Sequence, residues 1–175
     1  LRLDCAHTFN VSKKTEYAFL WVTDFPLLEF DKETNTWASV HHPFTRPSIG
    51  WEKQPLADIT AVAYDIVLNG IELGGGSMRI FERELQEKIF SLIGLDKAKA
   101  KEKFGFLLEA QEFGFPQHGG IALGFDRLVM LIAQCSTIKD VIAFPKLSSG
   151  LDPLMESPSA IDKSLLQLYG LQGKK

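Results

Sequence analysis

Asn69-Gly70 sits between two apolar runs, Ala63 to Leu68 and Ile71 to Leu73, and this dipeptide restricts the fold more than any other local signal. A two-residue hairpin loop needs positive φ at both central residues to match the twist of its strands, and Asn-Gly meets that need with little strain. The pair predicts a type I′ turn, and hence an antiparallel sheet. Closing the turn places Leu68 opposite Ile71, Val67 opposite Glu72 and Asp65 opposite Gly74. Opposed residues share a face, and so do residues two apart on one strand. Asp65 and Glu72 therefore fall on one face as diagonal neighbours. Two carboxylates held close repel unless a cation or proton intervenes. Mg²⁺ bridging ATP phosphates is a natural occupant, because it takes one or two carboxylates plus phosphate oxygens. An edge-strand Asp65 with Glu72 paired to a lysine would satisfy the same residues.

Gly74-Gly75-Gly76 follows directly. Each glycine costs a regular strand roughly 0.5–1 kcal/mol, so three in a row suggest a bulge or bare backbone beside a ligand. Arg79 lies seven residues beyond Glu72. A regular strand sends it to the opposite face, and a one-residue bulge returns it.

The second informative stretch is Gly119-Gly120-Ile121-Ala122-Leu123-Gly124-Phe125-Asp126-Arg127-Leu128. Ile121, Leu123 and Phe125 alternate with Gly120, Ala122 and Gly124, a period of two that predicts a strand with one nearly bare face. A flat aromatic such as adenine fits that face. Leu128 to Ile132 continues as a helix, leaving Arg127 at a strand–helix junction, where a permanently charged guanidinium suits phosphate. A core strand followed by a surface arginine accounts for the same string.

Elsewhere the pattern is α+β. Residues 1 to 16 are polar and weakly patterned. Phe19 to Val22 reads as a buried strand ending near Pro26, with Trp21 and Phe25 in the core. A polar turn over Asp31 to Asn35 precedes a short strand near Trp37 to Val40. Residues 43 to 60, with Pro43, Pro47, Gly50 and Pro55, form a loop too long for a plain connection. Leu85, Ile89, Leu92 and Ile93 predict a helix over Glu82 to Leu95 that Gly94 can end. A second helix covers Lys97 to Phe113, and a short one covers Asp162 to Leu168.

At 175 residues one compact domain is expected. The net charge of −3, with no basic block except Lys174-Lys175, excludes a surface whose affinity comes chiefly from phosphate backbones. Cys5 and Cys135 make no disulfide framework and suit a reducing cytosol. No apolar run reaches the ~18 residues of a membrane span. His41-His42-Pro43 lacks the cysteine or spaced histidine that would complete a zinc set.

Residues 119 to 128 resemble motif 3 of the class II aminoacyl-tRNA synthetases, and four further blocks resemble their bacterial aspartyl branch in the family's order. They are Trp21-Val22-Thr23-Asp24-Phe25-Pro26, His41-His42-Pro43-Phe44-Thr45, Ala63 to Arg79, and Asp140-Val141-Ile142-Ala143-Phe144-Pro145-Lys146. The resemblance runs from about Leu20 to Pro158. It implies an α+β fold, part of the class II antiparallel sheet flanked by helices. Motif 1, motif 2 and the anticodon-binding domain have no counterpart. Residues 1–18 are thus expected to lead in from an upstream region, and 19–175 to form the C-terminal portion of the catalytic domain.

The roles implied by resemblance are specific. Asp65 and Glu72 would hold ATP through Mg²⁺. Glu72, Gly124, Phe125, Asp126 and Arg127 would bind ATP. His41, Ser77 and Arg79 would bind L-aspartate, with Arg79 on its side-chain carboxylate. Arg127, Glu72 and Arg79 would carry catalysis by positioning and charge neutralisation. The implied activity is ATP-dependent activation of aspartate and its transfer to tRNA(Asp), in a cytoplasmic homodimer that touches tRNA mainly through other regions. The isolated chain is expected to be inactive. A stand-alone paralogue that only binds an amino acid or nucleotide is the alternative. A class II enzyme for asparagine or lysine is a third reading, against which the His41–Arg79 pairing favours an acidic substrate.

Overall fold

The computed structural model of the protein describes residues 1–12 and 15–171, so the basic pair Lys174-Lys175 lies outside the described residues. In place of one compact domain, the chain divides into two units, Leu1–Gly124 and Phe125–Lys175. Unbroken chain length says nothing about where internal packing is thin, and the division falls where the motif 3-like strand gives way to its helix.

The first unit begins with helix α1 (Arg2–Thr8), in a region whose weak apolar pattern predicts no element. Then follow β1 (Phe19–Thr23), the hairpin β2 (Leu28–Asp31) and β3 (Thr36–Ser39), and two single 3-10 turns at Trp51–Lys53 and Leu56–Asp58. β4 (Ala63–Leu68) and β5 (Ile71–Met78) form the expected hairpin. Helices α2 (Arg83–Leu92) and α3 (Lys97–Glu112) connect β5 to β6 (Gly119–Leu123). β1, β4, β5 and β6 make a four-stranded sheet in that order, antiparallel at every step.

Local chemistry explains these boundaries. Asn69 and Gly70 have φ of 53° and 85°, as a type I′ turn requires. In the β2–β3 turn the Asp31 carboxylate accepts N–H bonds from Glu33 and Thr34 and the Thr34 hydroxyl at 2.7 Å. Those bonds, the hydroxyl's first, hold its carboxyl below the usual range. β2 itself carried no separate signal in the sequence. α2 ends on Gly94 at φ 75°, with Leu95 N–H donating to Phe90 C=O and Gly94 N–H to Ser91 C=O, a Schellman closure. α3 starts on Asp96, whose side chain accepts the Lys99 N–H at 2.9 Å. It breaks helical geometry at Phe104 (φ −130°), just before Gly105, and the Phe104 ring stacks on Phe90 at 5.0 Å.

The core lies at one end of the sheet. Leu27, Leu28, Ile59, Ala61, Ala63, Ile80 and Ile89 form one buried cluster, with Phe25 packed against it. Phe90, Ala100 and Leu108 form a second between the helices. β1 is not the buried strand its composition suggests. All five residues are exposed, and Trp21 is 57% exposed instead of lying in the core. β1 is a sheet edge, and a continuous apolar run reads alike at an edge and in a centre.

The second unit holds α4 (Phe125–Ile132), a 3-10 turn at Ile138–Asp140 and α5 (Lys163–Leu168), with Asp162 at its N-cap position. Phe125, which continues the strand alternation in sequence, is the first residue of α4. Gly124 ends the strand, so the alternation stops at Leu123.

Candidate functional site

The hairpin pairs as expected for its first two rungs, Leu68 with Ile71 and Val67 with Glu72, and then slips. Ile66 opposes Gly74 and Asp65 opposes Gly75, not Gly74, because Leu73 is an extra residue on β5. This one-residue bulge inverts the alternation for the rest of the strand. Its carbonyl accepts the Gly124 N–H at 2.6 Å, which binds the bulge to the end of β6.

One face of the sheet follows from this register. It carries Leu20 and Val22 on β1, Ala63, Asp65 and Val67 on β4, Glu72, Gly75 and Ser77 on β5, and Gly120 and Ala122 on β6. The Thr45–Arg79 bridge extends the alternation by one more rung, so Arg79 joins the same face. Without the bulge Glu72 would share its face with Gly74, Gly76 and Met78. A single inserted residue thus brings Ser77 and Arg79 to the face that Asp65 and Glu72 share. Their floor is Gly75, Ser77, Gly120 and Ala122, low enough for a flat group to lie against backbone.

The glycines on and under this floor differ in kind. A Cβ on Gly75 would collide with the Asp65 carboxylate, and Cβ atoms on Gly74 and Gly76 would strike the carbonyls of Ala122 and Gly120. Backbone packing requires Gly74 and Gly76, whereas at Gly75 it is the Asp65 carboxylate that would have to turn aside. A Cβ on Gly120 would meet nothing within 4 Å. Its bareness serves no internal contact and leaves a cradle on the site's face. Beside it, the Ser77 Oγ is buried with no hydrogen-bonding partner among the described residues. A buried hydroxyl left unpaired costs stability, so the site bears a polar atom suited to an added ligand.

Arg79 is anchored at both ends. Its N–H donates to the His118 carbonyl at 3.0 Å, and its Nη1 lies 3.2 Å from His42 Nδ1. The segment carrying His42 is pinned as well, with Arg46 N–H donating to Met78 C=O, Ile80 N–H to Phe44 C=O, and Val62 N–H to Arg46 C=O. Gln86, fully buried on α2, donates to the Pro43 carbonyl at 2.8 Å. What reads as a long irregular loop is therefore held by backbone on both sides. Burial, then the Arg79 charge, then His41, push the His42 imidazole down to a pKa of about 4. It is neutral at physiological pH and accepts from the guanidinium. His41 instead is exposed and lies edge-on to Phe25 at 5.2 Å. The sequence reading gives the substrate contact to His41 and none to His42; Pro43 is the local sign of an ordered segment, and the burial of Thr45 is visible only in the fold.

Gly124 closes the first unit, while Phe125, Asp126 and Arg127 occupy the first turn of α4 in the second. Asp65 and Glu72 are the carboxylates on the sheet face, and among the described residues no group of three His, Cys, Asp or Glu side chains forms a metal cluster. Two carboxylates fit an ion that takes its remaining ligands from phosphate and water. A cleft of about 890 Å³ between α2 and α3, floored by Phe90, Ala100 and Leu108, contains none of the candidate residues. The site is an open sheet face.

Comparison with known proteins gives a consistent result. Residues 3–148 match the family model described as tRNA synthetases class II (D, K and N). The chain is 53% identical over 175 residues to the aspartate–tRNA ligase of Shouchella clausii, covering 98% of this chain and 29% of that protein. It is 50% identical over 178 residues to the aspartate–tRNA(Asp/Asn) ligase of Anoxybacillus flavithermus, covering 99% of this chain and 30% of that one. The chain thus spans under a third of the length of the curated relatives it matches. Among solved structures, the aspartyl-tRNA synthetase of Entamoeba histolytica superposes with a TM-score of 0.58 at 22% identity, over 86% of this chain and 26% of that one. At that identity the likeness speaks for the fold.

Proposed function

Because the chain belongs to the class II tRNA synthetases of the D, K and N group, we propose that it supplies the aspartate-binding and part of the ATP-binding surface of an aspartate–tRNA ligase. The observation that carries this reading is the Leu73 bulge, which collects Asp65, Glu72, Ser77 and Arg79 on one face above a floor of small residues. Arg79 binds the side-chain carboxylate of aspartate as a two-pronged donor, with His41 and Ser77 as further contacts. The adenine lies on Gly120 and Ala122, with Gly124 at its edge. Phe125, Asp126 and Arg127, in the first turn of α4, are the further ATP-binding residues that the family resemblance implies, with Arg127 for the phosphates.

Mg²⁺ held by Asp65 and Glu72 would supply neutralisation of phosphate charge. The reaction is attack of the aspartate α-carboxylate on the α-phosphorus of ATP, with pyrophosphate leaving and an aspartyl-adenylate remaining. The adenylate then esterifies the 3′ end of tRNA(Asp). No side chain here needs to become a nucleophile. Arg79 orients one reactant and Arg127 stabilises the charge of the other, so catalysis rests on positioning and preorganised electrostatics. The intact protein acts as a cytoplasmic homodimer, with most tRNA contacts outside this segment. Among the described residues no helix is long and apolar enough to cross a membrane.

Aspartate-dependent ATP–pyrophosphate exchange tests the reading. The intact protein carrying this segment exchanges, Arg79→Ala abolishes exchange with aspartate, and the isolated 175-residue chain shows none. Exchange by the intact protein that survives Arg79→Ala undamaged would remove the aspartate assignment, and robust exchange by the isolated chain would show that the nucleotide site is complete within it.

A further inference from the structure

The His42 ring has a position that no role above requires. It is half-buried, stacks on Phe44 at 4.5 Å with 27° between planes, and has the buried Thr45 hydroxyl 3.2 Å from Nδ1 and 3.4 Å from Nε2. Phe44 in turn sits edge-on to Phe104 at 5.9 Å, the residue at which α3 breaks, and Phe104 stacks on the buried Phe90. A continuous aromatic column runs from the core between α2 and α3 to the imidazole. At its far end Nδ1 lies 3.2 Å from Arg79 Nη1. The ring can neither swing nor slide without displacing Phe44 or Thr45.

We infer that His42 is a positioning and specificity residue, a fixed neutral acceptor that aims the Arg79 guanidinium at the substrate's side-chain carboxylate while leaving its full charge available. This rests on the reading of Arg79 as the aspartate-binding group. Neutrality of the partner is the point of the arrangement. Arg46 pairs with Glu82 at 3.1 Å, and Arg83 pairs with Glu87 at 3.0 Å and with Glu112. Those guanidiniums are already compensated by carboxylates. A carboxylate at position 42 would hold Arg79 equally well and cancel the charge that distinguishes aspartate from asparagine. An imidazole kept unprotonated by burial and by Arg79 itself holds the fork without cancelling it. The same acceptor leaves the outer edge of the guanidinium free for a second, charged partner.

The test uses the intact protein and compares four substitutions by ATP–pyrophosphate exchange, with thermal melting on each. Asn presents its carbonyl oxygen near the position of Nδ1, whereas Gln presents it near Nε2. His42→Asn is expected to keep the KM for aspartate within about threefold of the parent. His42→Gln and His42→Leu are expected to raise it about tenfold or more, as loss of a charge-assisted hydrogen bond implies. In both, kcat and the KM for ATP change far less. His42→Asp is expected to bind aspartate weakly and to lose about tenfold or more in its preference over asparagine. A purely structural role would not separate Asn from Gln at equal melting temperature. Equal KM values for the Asn and Gln variants, or an unchanged asparagine preference in His42→Asp, would overturn the inference. The Arg79→Ala result separates the two layers. If Arg79→Ala leaves the aspartate KM unchanged, the functional reading fails first. If it abolishes exchange or raises KM while every His42 variant behaves as the parent, the positioning role alone is wrong.

Discussion

Gly120→Val distinguishes a glycine kept for packing from one kept for a ligand. Gly120 opposes Ser77 on the face of Asp65 and Glu72, and a Cβ built there meets no atom within 4 Å. The unliganded protein therefore accommodates the valine side chain. Strand propensity and the lost flexibility of glycine favour the substitution by roughly 0.5–1 kcal/mol, so the melting temperature holds or rises slightly. A nucleotide base lying on this floor must contend with two methyl groups. Overpacking of that size costs about 1–3 kcal/mol, which is about a 5- to 150-fold loss of ATP affinity. Gly76→Ala provides the contrast, since its Cβ strikes the Gly120 carbonyl and comes within 2.8 Å of the Tyr64 ring. It should lower the melting temperature with or without ATP. Calorimetric titration of the intact protein with ATP, alongside melting curves, reads both effects. A Gly120→Val protein that melts normally and binds ATP as tightly as its parent refutes the idea that anything lies on the bare face.

Asp65→Asn and Glu72→Gln should each raise the Mg²⁺ concentration needed for half-maximal ATP binding by about tenfold; a Mg²⁺ response identical to the parent's would remove both from metal binding. His42 gives a signed pH effect. Its pKa is about 4 in the fold, against an ordinary 6.5, so the unfolded chain takes up a proton first as pH falls. The stability it contributes is complete above about pH 6.5 and is lost between there and about pH 4. Partial exposure and solvent screening limit the effect to ~1–2 kcal/mol. His42→Asn should flatten urea-denaturation stability over that window, and an unchanged slope would show that His42 is not the group responsible. Gly94→Ala, at φ 75° with open space around its Cβ, should cost about 1 kcal/mol through backbone strain alone, seen as a lower urea midpoint with an unchanged m-value.

Where an element depended on near neighbours in sequence, the sequence by itself determined it. Asn69-Gly70 required the β4–β5 hairpin, since few dipeptides hold two consecutive positive φ values. The spacing of Leu85, Ile89 and Leu92 with Gly94 after them determined α2 and its end, because periodicity and a Schellman closure are both written within a few residues. The alternation through Gly120 and Ala122 set the bare face of β6, and the ordered blocks carried the family. Tertiary structure decided the rest. Whether Glu72 and Arg79 share a face turned on an extra residue at Leu73, whose cost and benefit depend on β4 and β6 together. The exposure of β1 depended on which strands flank it. That His42 and not His41 meets Arg79 was set by Phe44, Phe104, Thr45 and Gln86, residues from three separate segments. A side chain's direction at a loop is fixed by what packs around it, and a linear pattern contains no record of that packing.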